Sequence, residues 1–104
     1  MRKKKSMTAG IAPVHPGALL REDILPSVDM PKAQVARALG ISRAQLYAIL
    51  SERAPVTAPM ALRLGRFFGN GPELWLNMQS NYDLETLGRA MAREIARIPK
   101  VRAA

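Results

Sequence analysis

Residues 32–51 read KAQVARALGISRAQLYAILS and contain two short helical patterns separated by a glycine. The first pattern starts after Pro31 and stops at Gly40, because a glycine directly after the last apolar position is a frequent end of a helix. Ser42 is a favourable N-cap and starts a second helix, expected over about 43–51. Apolar side chains recur at helical spacing, at Val35, Ala36, Leu39, Ile41, Leu46 and Ile49. This stretch therefore predicts two helices joined by a tight turn.

The residues at the turn have the sizes and backbone preferences that a steep helix crossing requires. Ala36 is small enough to let two helices touch, and Gly40 can adopt a positive φ that costs a residue with a Cβ about 1 kcal/mol or more. Ile41 is expected to fill the inside of the corner, and Ser42 to cap a helix whose N-terminus projects outward. The pattern predicts a helix-turn-helix with these structural positions: Val35, Ala36, Leu39, Gly40, Ile41, Leu46 and Ile49.

The outward face of the second helix matches the chemistry of the DNA major groove. Arg43 could form two hydrogen bonds with guanine and Gln45 two with adenine, whereas alanine methyl groups can contact a thymine methyl. Lys32 and Arg53 flank this face and suit backbone phosphates. We therefore predict DNA contacts at Lys32, Ser42, Arg43, Ala44, Gln45, Tyr47, Ala48 and Arg53. The alternative interpretation is an α-hairpin in an ordinary helical core, with polar residues that are merely solvated.

The remaining sequence adds helical patterns and no strand or hairpin pattern. Helices are expected over about 17–25, closed by Pro26, over about 58–68, with Arg63 and Arg66 pointing to solvent, and from Pro72 onward. The fold class is therefore all-α, a bundle of five to six helices. The expected organisation is a flexible basic arm at 1–14, a DNA-binding domain at 15–82 and a C-terminal amphipathic helix at 83–104.

The C-terminal segment carries a narrow apolar seam. Leu84, Leu87, Met91, Ile95 and Ile98 are separated by 3, 4, 4 and 3 residues, the spacing typical of coiled-coil contacts. The seam is either a subunit contact or an internal strip of the core. Dimer or partner contacts are predicted at Trp75, Leu84, Leu87, Met91 and Ile95, although Trp75, at helical spacing beside apolar neighbours, also fits the core.

Composition limits the classes of function. The 104 residues include 16 Lys and Arg against 8 Asp and Glu, a net charge of +8 that suggests a polyanionic partner. The absence of Cys excludes disulfides and thiolate metal sites, and the single His15 leaves no histidine pair for a metal. His15 is instead expected to start a helix. With no nucleophile–base pair, phosphate loop or paired carboxylates, we expect neither an enzyme nor a cofactor.

The N-terminal charges have two interpretations. Arg2–Lys5 supply half of the net charge and could enter a DNA minor groove, although such tails more often remain free in solution. No apolar signal region follows them, and no apolar run reaches the roughly 20 residues of a membrane helix. We therefore expect a cytoplasmic protein without a membrane contact.

Five stretches of the sequence resemble the HigA family of antitoxins, which are Cro/CI-type (lambda repressor-like) helix-turn-helix proteins. They are HPG at 15–17, VA at 35–36 with LGISR at 39–43, TAPMALRL at 57–64, PELWLNMQ at 72–79 and YDL at 82–84. The resemblance covers about residues 15–85. The helix-turn-helix part is shared by many repressors, whereas FFG at 67–69 followed by PELWLN is more specific.

The resemblance implies a homodimer that binds the operator of its own operon and represses it. It also implies that the chain binds a small RelE-like ribonuclease toxin, HigB, and blocks its ribosome-dependent cleavage of mRNA. A stand-alone regulator without a toxin, or a helical protein-interaction module, are the alternatives.

Two positions depart from the family pattern. In the family, Asn-Gly commonly follows the second helix of the motif, whereas this chain has Ser51 and Glu52. Because a carboxylate repels phosphates, we expect this loop to bind DNA less tightly than in relatives. The serine that usually caps the first helix of the motif is Pro31. This change removes a cap worth about 1 kcal/mol but presets the backbone for a helix.

Overall fold

The computed structural model describes residues 13–102, and this part of the chain contains helices and no strand. The basic arm predicted at 1–14, including Arg2–Lys5, lies outside the described residues except for its last two positions. The α-helices are α1 (Pro16–Leu19), α2 (Lys32–Leu39), α3 (Arg43–Leu50), α4 (Ala58–Phe68), α5 (Pro72–Ala90) and α6 (Ala92–Ala96). The predicted all-α class is therefore confirmed. No helix between residues 13 and 102 combines the length and apolar content that a membrane span needs.

The first helix is less regular than the single helix expected over 17–25. After α1 the chain continues as a π-helical turn, Leu20–Ile24, and a 3₁₀ turn, Leu25–Ser27. Pro26 lies at the start of the 3₁₀ turn, where its missing N–H costs little, so the helical path ends after it. His15 caps α1 as predicted, because its Nδ1 accepts a hydrogen bond of 2.9 Å from the Gly17 N–H.

The bounds of α2, α3 and α4 agree with the sequence analysis to within one residue. Gly40 ends α2, and Ser42 caps α3. Thr57 caps α4 by accepting a hydrogen bond from the Met60 N–H. These bounds were predictable because caps, prolines and glycines act on their own neighbours in sequence.

The predicted boundary between residues 82 and 83 was wrong, because it falls inside α5. This helix has 19 residues and continues through the predicted boundary to Ala90. The helix is interrupted at Met91, and the short α6 follows. Leu84 and Leu87 continue the helical spacing of α5, so nothing in the local sequence stops the helix at 82. The expected C-terminal helix is therefore the second half of α5 followed by α6.

The core lies between α1, α2, α3, α4 and the first half of α5. Its buried apolar residues are Leu20, Leu25, Val35, Ala36, Leu39, Leu46, Ile49, Leu50, Val56, Ala61, Leu64 and Trp75. α1 approaches α3 so closely at Gly17 that a Cβ there would lie 1.8 Å from the Ile49 carbonyl oxygen. Any side chain at this position would push α1 away from α3.

Trp75 is a core residue, and its prediction as an interface residue was wrong. The side chain is fully buried within its own chain, and its Nε1 donates a hydrogen bond of 2.9 Å to Asn70 Oδ1. Phe68 packs beside it, with ring centroids 5.9 Å apart. Because its N–H is already hydrogen-bonded and its side chain has no accessible surface, Trp75 cannot contact a second subunit.

Candidate nucleic-acid interface

The turn between α2 and α3 has the geometry expected from its residue types. Gly40 has φ 75° and ψ 31°, in the left-handed region that a residue with a Cβ adopts only at a cost. The Gly40 N–H donates to the Arg37 carbonyl at 3.1 Å, and the Ile41 N–H to the Ala36 carbonyl at 3.0 Å. These two hydrogen bonds form a Schellman end to α2. Ala36 is buried at the crossing and Ile41 is half-buried inside the corner, as predicted.

Arg63 is exposed, as predicted, but its guanidinium also makes a contact that was not expected. Its Nη1 donates to the carbonyl oxygen of Leu39 at 2.8 Å and to that of Gly40 at 3.4 Å. The side chain therefore runs from α4 to the last residue of α2. The contact could not be predicted from local patterns, because Arg63 and Leu39 are 24 residues apart in the sequence.

The outward face of α3 is open to solvent. Leu46, Ile49 and Leu50 hold the helix against the core, whereas Ser42 and most of the predicted base-contacting side chains are exposed. The exposed ones on the helix are Arg43, Ala44, Gln45 and Tyr47, and Ala48 is half-buried. The flanking Lys32 and Arg53 are also exposed. All of the predicted DNA contacts are thus at least partly accessible to a partner.

Gln45 has a second role that affects its predicted contact with adenine. Its Oε1 accepts a hydrogen bond of 2.8 Å from the Ser42 N–H, while its own N–H donates to Ser42 Oγ at 3.0 Å. This capping box uses one of the two lone pairs of Oε1 and leaves the other lone pair and the Nε2 donor for a bidentate contact with adenine. The two-bond contact of Gln45 with adenine therefore stays a prediction.

The loop after α3 is held by an arginine from the other side of the motif. Glu52 has φ 65°, a left-handed conformation that a residue with a Cβ adopts only at a cost. Its carboxylate lies 3.2 Å from Arg21 Nη1, which also donates to the Leu50 carbonyl at 2.6 Å. Hydrogen bonds with Glu22 and Glu52 raise the pKa of Arg21. Arg21 therefore offsets part of the negative charge that was expected to repel phosphates at Glu52.

A buried glutamine connects this loop to α5. Gln79 Oε1 accepts a hydrogen bond of 2.8 Å from the Val56 N–H, and its Nε2 donates to Asp83 Oδ1 at 3.0 Å. Gln79 belongs to the PELWLNMQ stretch, and no function was predicted for it. Its polar side chain at a buried helical position was the signal that could have identified it.

His15 is a buried, neutral imidazole at the start of α1. Burial lowers its pKa, and this effect exceeds the opposing influence of the carboxylates of Glu52 and Asp83. The ring of Tyr82 lies edge-on, with ring centroids 5.0 Å apart. A neutral ring is required here because Nδ1 accepts the hydrogen bond that caps α1. Within the described residues, no three His, Asp or Glu side chains form a group that could hold a metal ion.

The apolar seam of the C-terminal segment is uncovered in the single chain. Leu84, Leu87, Met91, Ile95 and Ile98 are between 38% and 74% exposed, so they are not an internal strip of the core. On another face of α5, Arg89 Nη2 pairs with Glu85 at 2.9 Å. The interpretation of the seam as a contact with a second chain is the one left open.

Comparison with known proteins points to one family. No family model matches the chain. Over 72 residues it is 42% identical to virulence-associated protein I of Dichelobacter nodosus, a match covering 69% of this chain and 67% of that protein. Over 84 residues it is 33% identical to antitoxin HigA-1 of Vibrio cholerae, covering 81% of this chain and 74% of that protein.

A solved structure extends the similarity to the whole fold. The Pseudomonas aeruginosa antitoxin HigA with the higBA promoter has a TM-score of 0.79 at 37% identity, covering 86% of this chain and 99% of that chain. By sequence and by fold, this chain belongs to the HigA family of helix-turn-helix antitoxins.

Proposed function

We propose that this chain is a sequence-specific DNA-binding antitoxin that represses its own operon. The observation that carries the proposal is the exposed face of α3, on which Arg43 and Tyr47 lie one helical turn apart. A single α-helix fits the B-DNA major groove, and an arginine there can donate two hydrogen bonds to guanine. The promoter complex of the Pseudomonas aeruginosa relative supports the same use of this fold.

Phosphate contacts come from the two cations that flank α3. Lys32 begins α2 and lines one pocket with Tyr47 and Ser51, and Arg53 follows the end of α3, so both charges lie near the C-terminal end of α3. Arg53 Nε donates to Ser51 Oγ at 2.8 Å, which limits the range of its guanidinium. Such contacts fix the position of a protein on the duplex and carry little sequence information.

The active unit is a homodimer that assembles through the apolar seam. Leu84, Leu87, Met91 and Ile95 are the exposed side chains that a second copy would cover. A dimer presents two recognition helices to successive major grooves, about 34 Å apart, and therefore recognises two half-sites. This spacing predicts an operator with two-fold symmetry.

A band-shift titration on the DNA upstream of this gene tests the proposal. If each subunit neutralises three or four phosphates, a plot of the logarithm of the binding constant against the logarithm of the salt concentration has a slope of about −5 to −7. Arg43→Ala should relax base preference, whereas Arg53→Ala should weaken all sequences about equally. Arg66→Ala is the control, since Arg66 lies on α4 outside the motif. Binding that is indifferent to salt and to sequence would contradict the proposal.

The antitoxin activity is directed at a HigB-like toxin, a RelE-like enzyme that cleaves mRNA on the ribosome. Membership of the HigA family supports this part of the proposal. The expected toxin gene is a reading frame immediately upstream that encodes a basic protein of about 100 residues. The test is to co-express its product with this chain and to measure ribosome-dependent mRNA cleavage with and without this chain. If no neighbouring toxin exists and DNA binding is intact, the chain is a stand-alone regulator.

A further inference from the structure

Two arginines from outside the helix-turn-helix hold the C-terminal ends of its two helices. Arg63 of α4 donates to the carbonyls of Leu39 and Gly40 at the end of α2. Arg21, in the π-helical turn after α1, donates to the carbonyl of Leu50, the last residue of α3, at 2.6 Å. The same kind of contact is thus made twice, from two different elements.

These carbonyls are suitable targets for a guanidinium. The last four carbonyls of a helix lack partners within the helix, and the helix dipole places partial negative charge there. A cation that donates to these carbonyls supplies their missing hydrogen bond and also interacts favourably with the partial negative charge. Each arginine makes this contact through its Nη1, and the contact ties the end of α2 to α4 and the end of α3 to the turn after α1.

Gly40 and Arg63 fit each other closely. A Cβ on Gly40 would lie 2.6 Å from Arg63 Nη1, which is too close for the guanidinium to stay in place. Gly40 therefore serves the turn in two ways, through its positive φ and through the space that it leaves for Arg63. The corner between α2 and α3 is tied to α4 through this contact.

We propose that Arg63 and Arg21 are positioning residues that set the angle of α3 for sequence-specific recognition. The inference rests on the proposed DNA-binding function and adds residues that touch no base. A recognition helix reads sequence only if its side chains reach the base edges in register, whereas attraction to phosphates tolerates a small tilt. Loss of either arginine should therefore reduce specific binding more than non-specific binding.

The experiment compares two affinities of each variant. The specific probe is a duplex selected from a random 20-base-pair library by the wild-type chain, and the non-specific probe is an unselected duplex of equal length. Arg63→Ala is matched with Arg66→Ala, which removes the same charge from the next turn of α4. Arg63→Lys keeps the charge but lacks the planar fork. All titrations are made at a temperature where circular dichroism shows each variant folded.

We expect Arg63→Ala to lower the specific affinity about ten-fold more than Arg66→Ala does, with equal effects on the unselected duplex. The specific affinity of Arg63→Lys should lie between that of the wild type and that of Arg63→Ala. A role in fold stability alone would leave the ratio of the two affinities unchanged in the folded variants. Equal ratios for Arg63→Ala and Arg66→Ala would overturn the assignment of Arg63. If the wild-type chain selects no sequence, the proposed function itself fails.

A second comparison separates the positioning role of Arg21 from its neutralisation of Glu52. The Glu52→Gln variant removes the carboxylate, and the double variant Arg21→Ala/Glu52→Gln removes the guanidinium as well. We expect the double variant to have a lower ratio of specific to non-specific affinity than Glu52→Gln alone, because the Leu50 carbonyl has lost its donor. Equal ratios would show that Arg21 acts only on the charge of Glu52 and would overturn its assignment.

Discussion

Replacing Gly40 with alanine should destabilise this protein by clearly more than the same change at Gly69. The two glycines have nearly the same φ, 75° and 76°, and each follows the last residue of a helix. They differ in their surroundings, since a Cβ on Gly40 would lie 2.6 Å from Arg63 Nη1, whereas nothing lies within 4 Å of a Cβ on Gly69. Gly69→Ala is therefore a matched control for backbone strain.

The expected magnitudes follow from these two contributions. The left-handed conformation costs a residue with a Cβ about 1–2 kcal/mol, and this cost applies to both variants. At Gly40 the methyl group also forces the flexible end of Arg63 to move, and complete loss of its charge-assisted hydrogen bond with the Leu39 carbonyl costs up to about 1.5 kcal/mol at this exposed site. We expect a loss of up to about 3.5 kcal/mol for Gly40→Ala and about 1–2 kcal/mol for Gly69→Ala.

Urea unfolding followed by circular dichroism measures both free energies of unfolding. The Arg63→Ala background provides the decisive comparison, because the guanidinium is then absent and the excess cost of Gly40→Ala should disappear. In thermal unfolding the excess corresponds to about 4–8 °C for each kcal/mol. Equal losses at the two glycines, or an excess that persists without Arg63, would refute the reasoning.

Three further predictions concern the pH dependence, the loop and the seam. Because burial lowers the pKa of His15, the folded state binds fewer protons than the unfolded state, so the free energy of unfolding should fall as the pH drops below about 6.5. His15→Asn keeps a capping acceptor without this titration, so urea midpoints at pH 7.5 and 5.5 should differ less in the variant. Glu52→Gln should raise the affinity for DNA about three-fold in a band-shift assay at low salt, and Glu73→Gln, at the start of α5, should not. Leu87→Glu should convert the proposed dimer to a monomer in sedimentation equilibrium, whereas Leu62→Glu, at an exposed position on α4, should leave that dimer intact.

Each of these predictions has a result that contradicts it. Identical pH dependence of wild type and His15→Asn would mean that His15 does not link stability to pH. Unchanged DNA affinity after Glu52→Gln would mean that Arg21 already cancels the charge completely. A Leu87→Glu variant that remains a dimer would move the subunit contact away from the seam.

The sequence by itself determined α2, α3 and α4 and the turn between α2 and α3. Proline at helix starts, glycine at helix ends and the caps Ser42 and Thr57 act within four residues of their own position, so they can be recognised without a structure. The buried positions Val35, Leu39 and Leu46 followed from helical spacing for the same reason. The same helical spacing implied that the base-contacting residues, which lie between the buried positions, are exposed.

Only the tertiary structure decided which distant side chains meet. The contacts of Arg63 with Leu39, Arg21 with Glu52 and Gln79 with Val56 span 24, 31 and 23 residues. Such pairs depend on how whole helices pack, and a long polar side chain is equally compatible in sequence with solvent or with a carbonyl on another element. For that reason Arg63 was expected in solvent, Trp75 was expected at an interface as well as in the core, and the arginines that hold both helix ends became visible only once the helices were packed together.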